Sequence, residues 1–163
     1  MASMINRPTF PRRTLLGLLL AAGAVPAVAA TPALTVYKTP WCGCCSRWVD
    51  RMRQAGFTTV AIVELEDLAP IRQRHGIADR YAGCHTGVIA GYALEGHVPP
   101  ADVKKLLAEK PAAAGLAVPG MPTGAPGMEP PDGRREAFDT LLVLKDGSVR
   151  VYTSYAARGA AAR

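Results

Sequence analysis

The chain has 163 residues and a formal net charge of +6, with 20% charged and 6% aromatic residues. This length predicts a single domain. The positive charge is modest, and Lys and Arg form no cluster interleaved with aromatic side chains, so the composition excludes a nucleic-acid partner.

Residues 1–30 have the regions expected of a secretory leader. Basic residues without any acidic residue precede an apolar run over residues 15–25, and Ala-Val-Ala-Ala follows at residues 27–30. The apolar run is shorter than the roughly 20 residues that cross a bilayer. We therefore predict that residues 1–30 are a cleaved export signal and that the mature protein is periplasmic, without a membrane segment. Arg12-Arg13 also resembles a twin-arginine signal, so that route and the Sec route are both open.

The mature chain begins with alternating strand and helix patterns. A β-rich run at residues 34–37 predicts the first strand. Apolar residues recur with helical spacing over residues 46–55, which predicts an amphipathic helix. Residues 57–65, rich in Val, Ile and Thr, predict a second strand, and residues 67–75 a short helix that begins at Asp67.

The next elements complete a small α/β domain. Residues 86–90 and 92–95 predict two strands joined tightly at Gly91, and Pro99-Pro100 opens another helix. The resulting order β-α-β-α-β-β-α is that of a thioredoxin-like fold. We assign it to residues 31–110.

Residues 111–163 are predicted to be a C-terminal extension packed on the same domain. Residues 111–133 are rich in Pro, Gly, Ala and Met, which favours either a functional lid or a disordered linker. Two short strands at residues 141–144 and 148–152 then predict a β-hairpin, with a turn at Asp146-Gly147.

Three of the four cysteines lie together in Cys42-Gly43-Cys44-Cys45, between the first strand and the first helix. The N-terminus of a helix favours thiolate over thiol. With Trp41, this segment looks like the thioredoxin active site Trp-Cys-Gly-Pro-Cys with its proline replaced by cysteine. Cys42 and Cys45 are therefore the candidate catalytic pair of a dithiol–disulfide oxidoreductase. A third thiol at Cys44 would instead scramble such a disulfide or act as a further metal ligand.

Cys84 and His97 are predicted to approach this segment. In the thioredoxin arrangement the residue before the third strand lies against the start of the first helix, so Cys84 is the candidate fourth sulfur. The hairpin at Gly91 returns the chain to the same end, where His97 could bind a metal or simply precede the helix. His85 should point to the opposite face from Cys84 if the strand has begun there.

A group of cysteines in an exported protein has two interpretations. The first is a pair of disulfides, Cys42 to Cys45 and Cys44 to Cys84. The second is a metal site of Cys42, Cys44, Cys45 and Cys84. Dense thiolates suit Cu(I), zinc or iron–sulfur clusters, and thioether ligands suit Cu(I) in particular. Met121 and Met128 lie in the Pro/Gly-rich segment and are candidate copper ligands or apolar anchors of that segment.

The chain contains four spaced motifs, which are Tyr37-Lys38-Thr39-Pro40 with Cys42-Gly43-Cys44-Cys45, Cys84-His85-Thr86, Glu95-Gly96-His97-Val98-Pro99, and Gly115-Leu116-Ala117-Val118-Pro119-Gly120-Met121-Pro122. Together they resemble the CopG family of exported copper-resistance proteins. The likeness covers about residues 36–152.

The resemblance implies copper bound as a multinuclear, thiolate-bridged cluster and interconverted between Cu(I) and Cu(II) ahead of efflux. Its partners would be copper ions and periplasmic copper-efflux or chaperone proteins, and we expect a monomer. Two other functions stay open. One is thiol–disulfide exchange with other exported proteins, and the other is an interaction module stapled by zinc or disulfides.

Overall fold

A computed structural model describes residues 31–160. The predicted export signal at residues 1–30 lies outside the described residues, as do residues 161–163. Within residues 31–160, no helix has the length and apolar character needed to cross a membrane.

The N-terminal half begins with a β-α-β unit. Strand β1 (Leu34–Lys38) leads into helix α1 (Gly43–Gln54), and strand β2 (Val60–Glu64) returns parallel to β1. Helix α1 buries one face of apolar side chains, as its spacing predicts. It begins three residues earlier than the apolar pattern predicts, because Cys42 caps it and takes Gly43, Cys44 and Cys45 into the first turn.

The second half of the domain follows the predicted order. Helix α2 (Ala69–Arg74) and a short 3-10 helix (Asp79–Tyr81) precede strands β3 (His85–Ile89) and β4 (Tyr92–Glu95), and helix α3 (Pro100–Glu109) follows. Ala90 and Gly91 both have positive φ, 48° and 84°, which is the backbone of a tight hairpin turn. The described chain is therefore mixed α/β, as predicted.

Three further strands extend the same sheet. They are β5 (Ala113–Ala117), β6 (Phe138–Leu144) and β7 (Val149–Tyr155), and the strand order is β2-β1-β3-β4-β5-β6-β7. The sequence pattern did not predict β5, since the segment was interpreted as a lid or linker. Small residues suit this strand because it packs closely on β4, where a Cβ at Gly115 would overlap the carbonyl oxygen of Ala93. The domain boundary at residue 110 stays a prediction.

Consecutive residues of the central strands alternate between two apolar clusters. The larger one holds α1 and α3 against the sheet and includes Trp48, Leu94 and Leu116. The smaller one, around Ile77, includes Ala93. Lys38 pairs with His85, and Thr86 pairs with Glu95, so β1 ends, β3 begins and β4 ends at the same end of the sheet. Burial on both faces of the sheet anchors this end. All four cysteines lie next to that end.

Candidate metal centre

Cys42 forms the N-cap of α1. Its N–H donates to the carbonyl of Thr39 at 3.1 Å, in the turn that ends β1. Its Sγ accepts the N–H of Cys45 at 3.3 Å, as a capping side chain does. The first turn of α1 contains no acidic residue, so the positive end of the helix dipole acts on these sulfurs without local opposition.

The four sulfur atoms form one compact group. Cys42 and Cys45 are joined by a disulfide, whereas Cys44 and Cys84 are free thiols. Cys44 Sγ lies 3.6 Å from Cys42 Sγ and 3.7 Å from Cys84 Sγ, and all four ligand atoms lie within 4.8 Å of one another. Sulfurs that share a metal ion through bonds of about 2.3 Å lie about 3.8 Å apart. The group is therefore compact enough to hold a soft metal once the disulfide is reduced.

The buried carboxylate of Glu95 positions Cys84. Its Oε1 accepts from the N–H of Gly83 at 2.7 Å, and its Oε2 accepts from the side-chain hydroxyl of Thr86 at 2.6 Å, so it holds a residue on each side of Cys84. A Cβ at Gly83 would overlap the Cα of Gly96, which shows how closely the two backbones cross. Glu95 stands in the motif Glu95-Gly96-His97-Val98-Pro99, but no role was predicted for it, because a carboxylate at a strand end gives no periodic signal.

Burial makes the Cys84 thiol hard to ionise. Desolvation, together with the nearby Cys44 thiol, raises the pKa of Cys84 to about 12. Without a metal, Cys84 therefore keeps its proton at neutral pH. A metal ion that binds Cys84 must displace that proton.

His97 presents a lone pair to Cys84. Its Nδ1 lies 2.8 Å from the carbonyl oxygen of Pro126, and because a carbonyl only accepts, Nδ1 carries the proton. Its Nε2, 3.1 Å from Cys84 Sγ, is consequently unprotonated in the neutral ring. Burial lowers the pKa of His97, which favours that neutral form. This is the arrangement in which a second hydrogen bond fixes the tautomer of a ligating histidine.

The loop that carries Pro126 is fastened to α1. Gly127 lies so close that a Cβ there would approach the Trp48 nitrogen to 2.7 Å, and its carbonyl accepts from Arg47 Nε at 2.9 Å. Arg51 and Glu129 form an ion pair at 2.8 Å beside it. This part of the Pro/Gly-rich segment is therefore packed on α1 and is not a disordered linker. The segment has no periodic apolar pattern, and its small residues pack directly against the helix instead.

A recess of about 430 Å³ opens onto the sulfurs, and both Cys42 and Cys84 line it. Met121 also lines it and is 56% exposed, and Trp41 on the rim is 72% exposed. Met128 does not line the recess, and its backbone instead closes a turn with Gly124 and Ala125. The structure thus brings Met121 to the same opening as the cysteines but not Met128.

His85 does not point away from Cys84. Its Nδ1 lies 3.4 Å from Cys84 Sγ, and its ring stands edge-on to that of His97 with centroids 5.2 Å apart. Opposite directions were expected only if the strand had begun at Cys84, because alternation holds only within a strand. Cys84 lies in the loop before β3, so that condition is not met and its side chain lies toward His85.

Fold and site together define a class. This is a mixed α/β protein with a group of four cysteines that could hold a metal ion at the start of its first helix. Residues 81–128 match the model of a family described as "Protein of unknown function, DUF411". A search of curated protein sequences gave no match.

Two solved structures are similar over nearly their whole length. They are described as "Copper resistance protein copG", forms 1 and 2. Each is 38% identical to this chain, with a TM-score of 0.72, and the match covers 77% of this chain and 98% of the other. The chain belongs to the CopG family of copper-resistance proteins, as its motifs indicated.

Proposed function

We propose that the reduced protein binds Cu(I) through the thiolates of Cys42, Cys44, Cys45 and Cys84, with Nε2 of His97 as a further ligand. The observation that carries this proposal is the approach of all four sulfurs to within 4.8 Å. An all-thiolate group suits Cu(I), and the copper-resistance relatives make copper the preferred cargo over zinc. In so compact a group, one sulfur can bridge two copper ions, so the site can hold more than one ion.

The same pair of cysteines gives the site a redox step. When Cys42 and Cys45 pass from dithiol to the disulfide seen here, the sulfurs lose two electrons and two protons. The two electrons reduce two Cu(II) ions to Cu(I), and the protons go to solvent. The disulfide then leaves Cys44, Cys84 and His97 as the remaining donors, so oxidation of the pair also weakens the hold on the ion.

We place this activity in the periplasm after removal of residues 1–30. The recess supports direct exchange of copper with a partner, because both Cys42 and Cys84 line it. Apolar side chains on its rim, Trp41 and Met121, favour a protein surface as that partner. Copper-efflux or chaperone proteins of the same compartment fit this requirement.

Anaerobic titration of the reduced protein tests copper binding. Cu(I) added against a chromophoric chelator should load more than one ion per chain, and elemental analysis of protein purified without oxygen should find copper rather than zinc. Addition of Cu(II) to the reduced protein should yield one Cu(I) for each thiol lost from the Cys42–Cys45 pair. Cys42→Ser is the matched control, because it keeps three thiols but cannot form this disulfide. Stoichiometric zinc without copper would reject the proposal.

The disulfide favours a second candidate, a thiol–disulfide oxidoreductase acting on exported proteins. It lies at a helix N-terminus, where the attacking thiolate is stabilised. Reduction of insulin by the copper-free dithiol form separates the candidates. Rapid turnover that survives Cys84→Ser, together with no copper uptake, would favour this second function.

A further inference from the structure

The two ring nitrogens of His85 have unequal surroundings. The side chain is completely buried at the start of β3, with its ring 4.4 Å from that of Trp48 between centroids. Nδ1 lies 3.4 Å from Cys84 Sγ. Nε2 is buried and finds no hydrogen-bond partner within residues 31–160.

The protons around Cys84 can be counted. His97 donates its Nδ1 proton to Pro126, so its Nε2 accepts and lies 3.1 Å from Cys84 Sγ. The Cys84 thiol has one proton, and His97 Nε2 at 3.1 Å is a nearer acceptor than His85 Nδ1 at 3.4 Å or Cys44 Sγ at 3.7 Å. The shortest contact therefore favours donation of that proton to His97.

This count favours one tautomer of His85. The ring is completely buried and Nε2 has no partner within residues 31–160, so a second ring proton would place a buried charge there without an acceptor, which favours the neutral ring. A proton on Nε2 would leave a buried donor unpaired and would make Nδ1 compete for the single thiol proton. A proton on Nδ1 points at Cys84 Sγ and leaves only an acceptor unpaired, which proteins tolerate better.

We propose that His85 is a positioning residue, which donates an Nδ1–H···S hydrogen bond to Cys84 and does not itself bind copper. The inference rests on the proposed function for its copper part. Geometry alone would allow Cys84, His85 and His97 to hold an ion, since their ligand atoms lie within 4.8 Å of one another. The proton count divides the two histidines, so that His97 offers a lone pair and His85 offers a proton.

The hydrogen bond has a consequence for the metal. A thiolate carries more negative charge when it binds Cu(I) than when it binds Cu(II), so an N–H donor stabilises the reduced ion more. His85 thus favours Cu(I) at the sulfur that sits between the other thiols and His97. Because it withdraws electron density from Cys84, it also moves the sulfur-to-copper charge-transfer absorption to higher energy.

Imidazole ¹⁵N chemical shifts test the tautomer directly. The chain has three histidines, and His75→Gln and His97→Gln variants assign the signals. In the reduced copper-free protein, and again after Cu(I) loading, His85 should show a protonated Nδ1 and an unprotonated Nε2. A protonated Nε2, or an Nδ1 shift typical of metal coordination, would overturn the proposal.

Substitutions at His85 test its effect on the metal. His85→Phe keeps a ring against Trp48 but removes the donor, so the charge-transfer band should move to longer wavelength while the number of bound Cu(I) ions stays the same. His85→Asn places an amide N–H near the Nδ1 position and should restore most of the original spectrum, and His75→Phe should change nothing. An unchanged spectrum in His85→Phe would overturn the proposal. Absence of copper uptake would reject the proposed function, whereas the ¹⁵N shifts would still decide the hydrogen bond.

Discussion

Two buried polar clusters of this protein differ in how completely their hydrogen-bonding groups are satisfied. Asp102, in the first turn of α3, accepts hydrogen bonds from the hydroxyl groups of Thr140 at 2.6 Å, Thr153 at 2.8 Å and Tyr155 at 3.0 Å. Each donor belongs to β6 or β7, so the carboxylate ties the helix to the last two strands. Both oxygens have partners, and the cluster is closed.

The cluster around Cys84 is different. Its sulfur atoms are weak partners for one another, and Nε2 of His97 has only a thiol to accept from. Such a group gains little stability from its internal contacts, since thiols are poor donors and acceptors. Donor atoms that the fold positions but does not satisfy are available to a ligand. The fully hydrogen-bonded cluster at Asp102 therefore has a structural role, and the incompletely paired cluster at Cys84 marks the candidate metal site.

The largest effect that this comparison predicts is on stability at Asp102. Asp102→Ala removes the acceptor of three buried hydroxyl groups and should lower the free energy of unfolding by about 3 kcal/mol, at about 1 kcal/mol for each lost hydrogen bond. Urea denaturation in reducing buffer measures this. Asp139→Ala, an exposed carboxylate of β6, is the matched control and should have little effect. Cu(I) affinity of the folded Asp102→Ala protein should be unchanged, and a large loss of affinity would break the comparison.

Cys84→Ser should produce the opposite result. It removes one soft ligand, so Cu(I) affinity should fall by more than tenfold, or about 1.4 kcal/mol, nearly as far as in Cys45→Ser. The free energy of unfolding should change little, because serine can still contact His85 and His97. Competition with a Cu(I) chelator measures the affinity. An unchanged affinity would remove Cys84 from the site, despite its 3.7 Å approach to Cys44.

The pH dependence of Cu(I) affinity is a second test of Cys84 as a copper ligand. Because the pKa of Cys84 is raised to about 12, its thiol is protonated throughout pH 6–8 in the copper-free protein, and its proton is released to solvent when the sulfur binds the metal. Affinity should therefore rise with pH, by about tenfold per pH unit for each thiol proton displaced. In Cys84→Ser this slope should decrease by one proton. An equal slope in both proteins would contradict the raised pKa as the source of the dependence.

Cys44→Pro separates copper binding from disulfide chemistry. It restores the thioredoxin pattern Trp-Cys-Gly-Pro-Cys, and proline is tolerated in the first helical turn because the N–H there has no intrahelical acceptor. Cu(I) affinity should fall by about tenfold through loss of one sulfur. The Cys42–Cys45 disulfide should still form, and insulin reduction should be at least as fast as in the parent. Full copper affinity in this variant would exclude Cys44 as a ligand.

The sequence predicted some parts of the fold and not others. Periodic apolar patterns predicted α1, β3 and β4, and the spacing of the cysteines predicted their position at the start of a helix. The pattern could not predict β5, whose Ala and Gly residues have no β-branched signal. Close backbone packing, rather than periodicity, decides the local structure there. The pattern also left open where β3 begins, and with it the direction of the His85 side chain relative to Cys84.

The buried hydrogen-bonding partners were also beyond the sequence. Glu95 and Pro126 hold Cys84 and His97 through long-range contacts, at sequence separations that no local pattern records. Motif spacing therefore identified the residues that carry the candidate metal ligands. The groups that orient those atoms become visible only once the sheet brings distant loops to one end.

The smallest predicted effect concerns the thioether at the opening of the recess. Met121 lines the recess with Cys42 and Cys84, whereas Met128 does not, although both lie in the same Pro/Gly-rich segment. Met121→Leu keeps the size and apolar character of the side chain and removes only its sulfur. Cu(I) affinity should fall by about threefold, since an exposed thioether is a weaker ligand than a thiolate. Met128→Leu should leave affinity unchanged. Chelator competition on both variants measures the difference, and equal affinities would mean that Met121 is an apolar rim residue and that the cysteine and histidine donors complete the site alone.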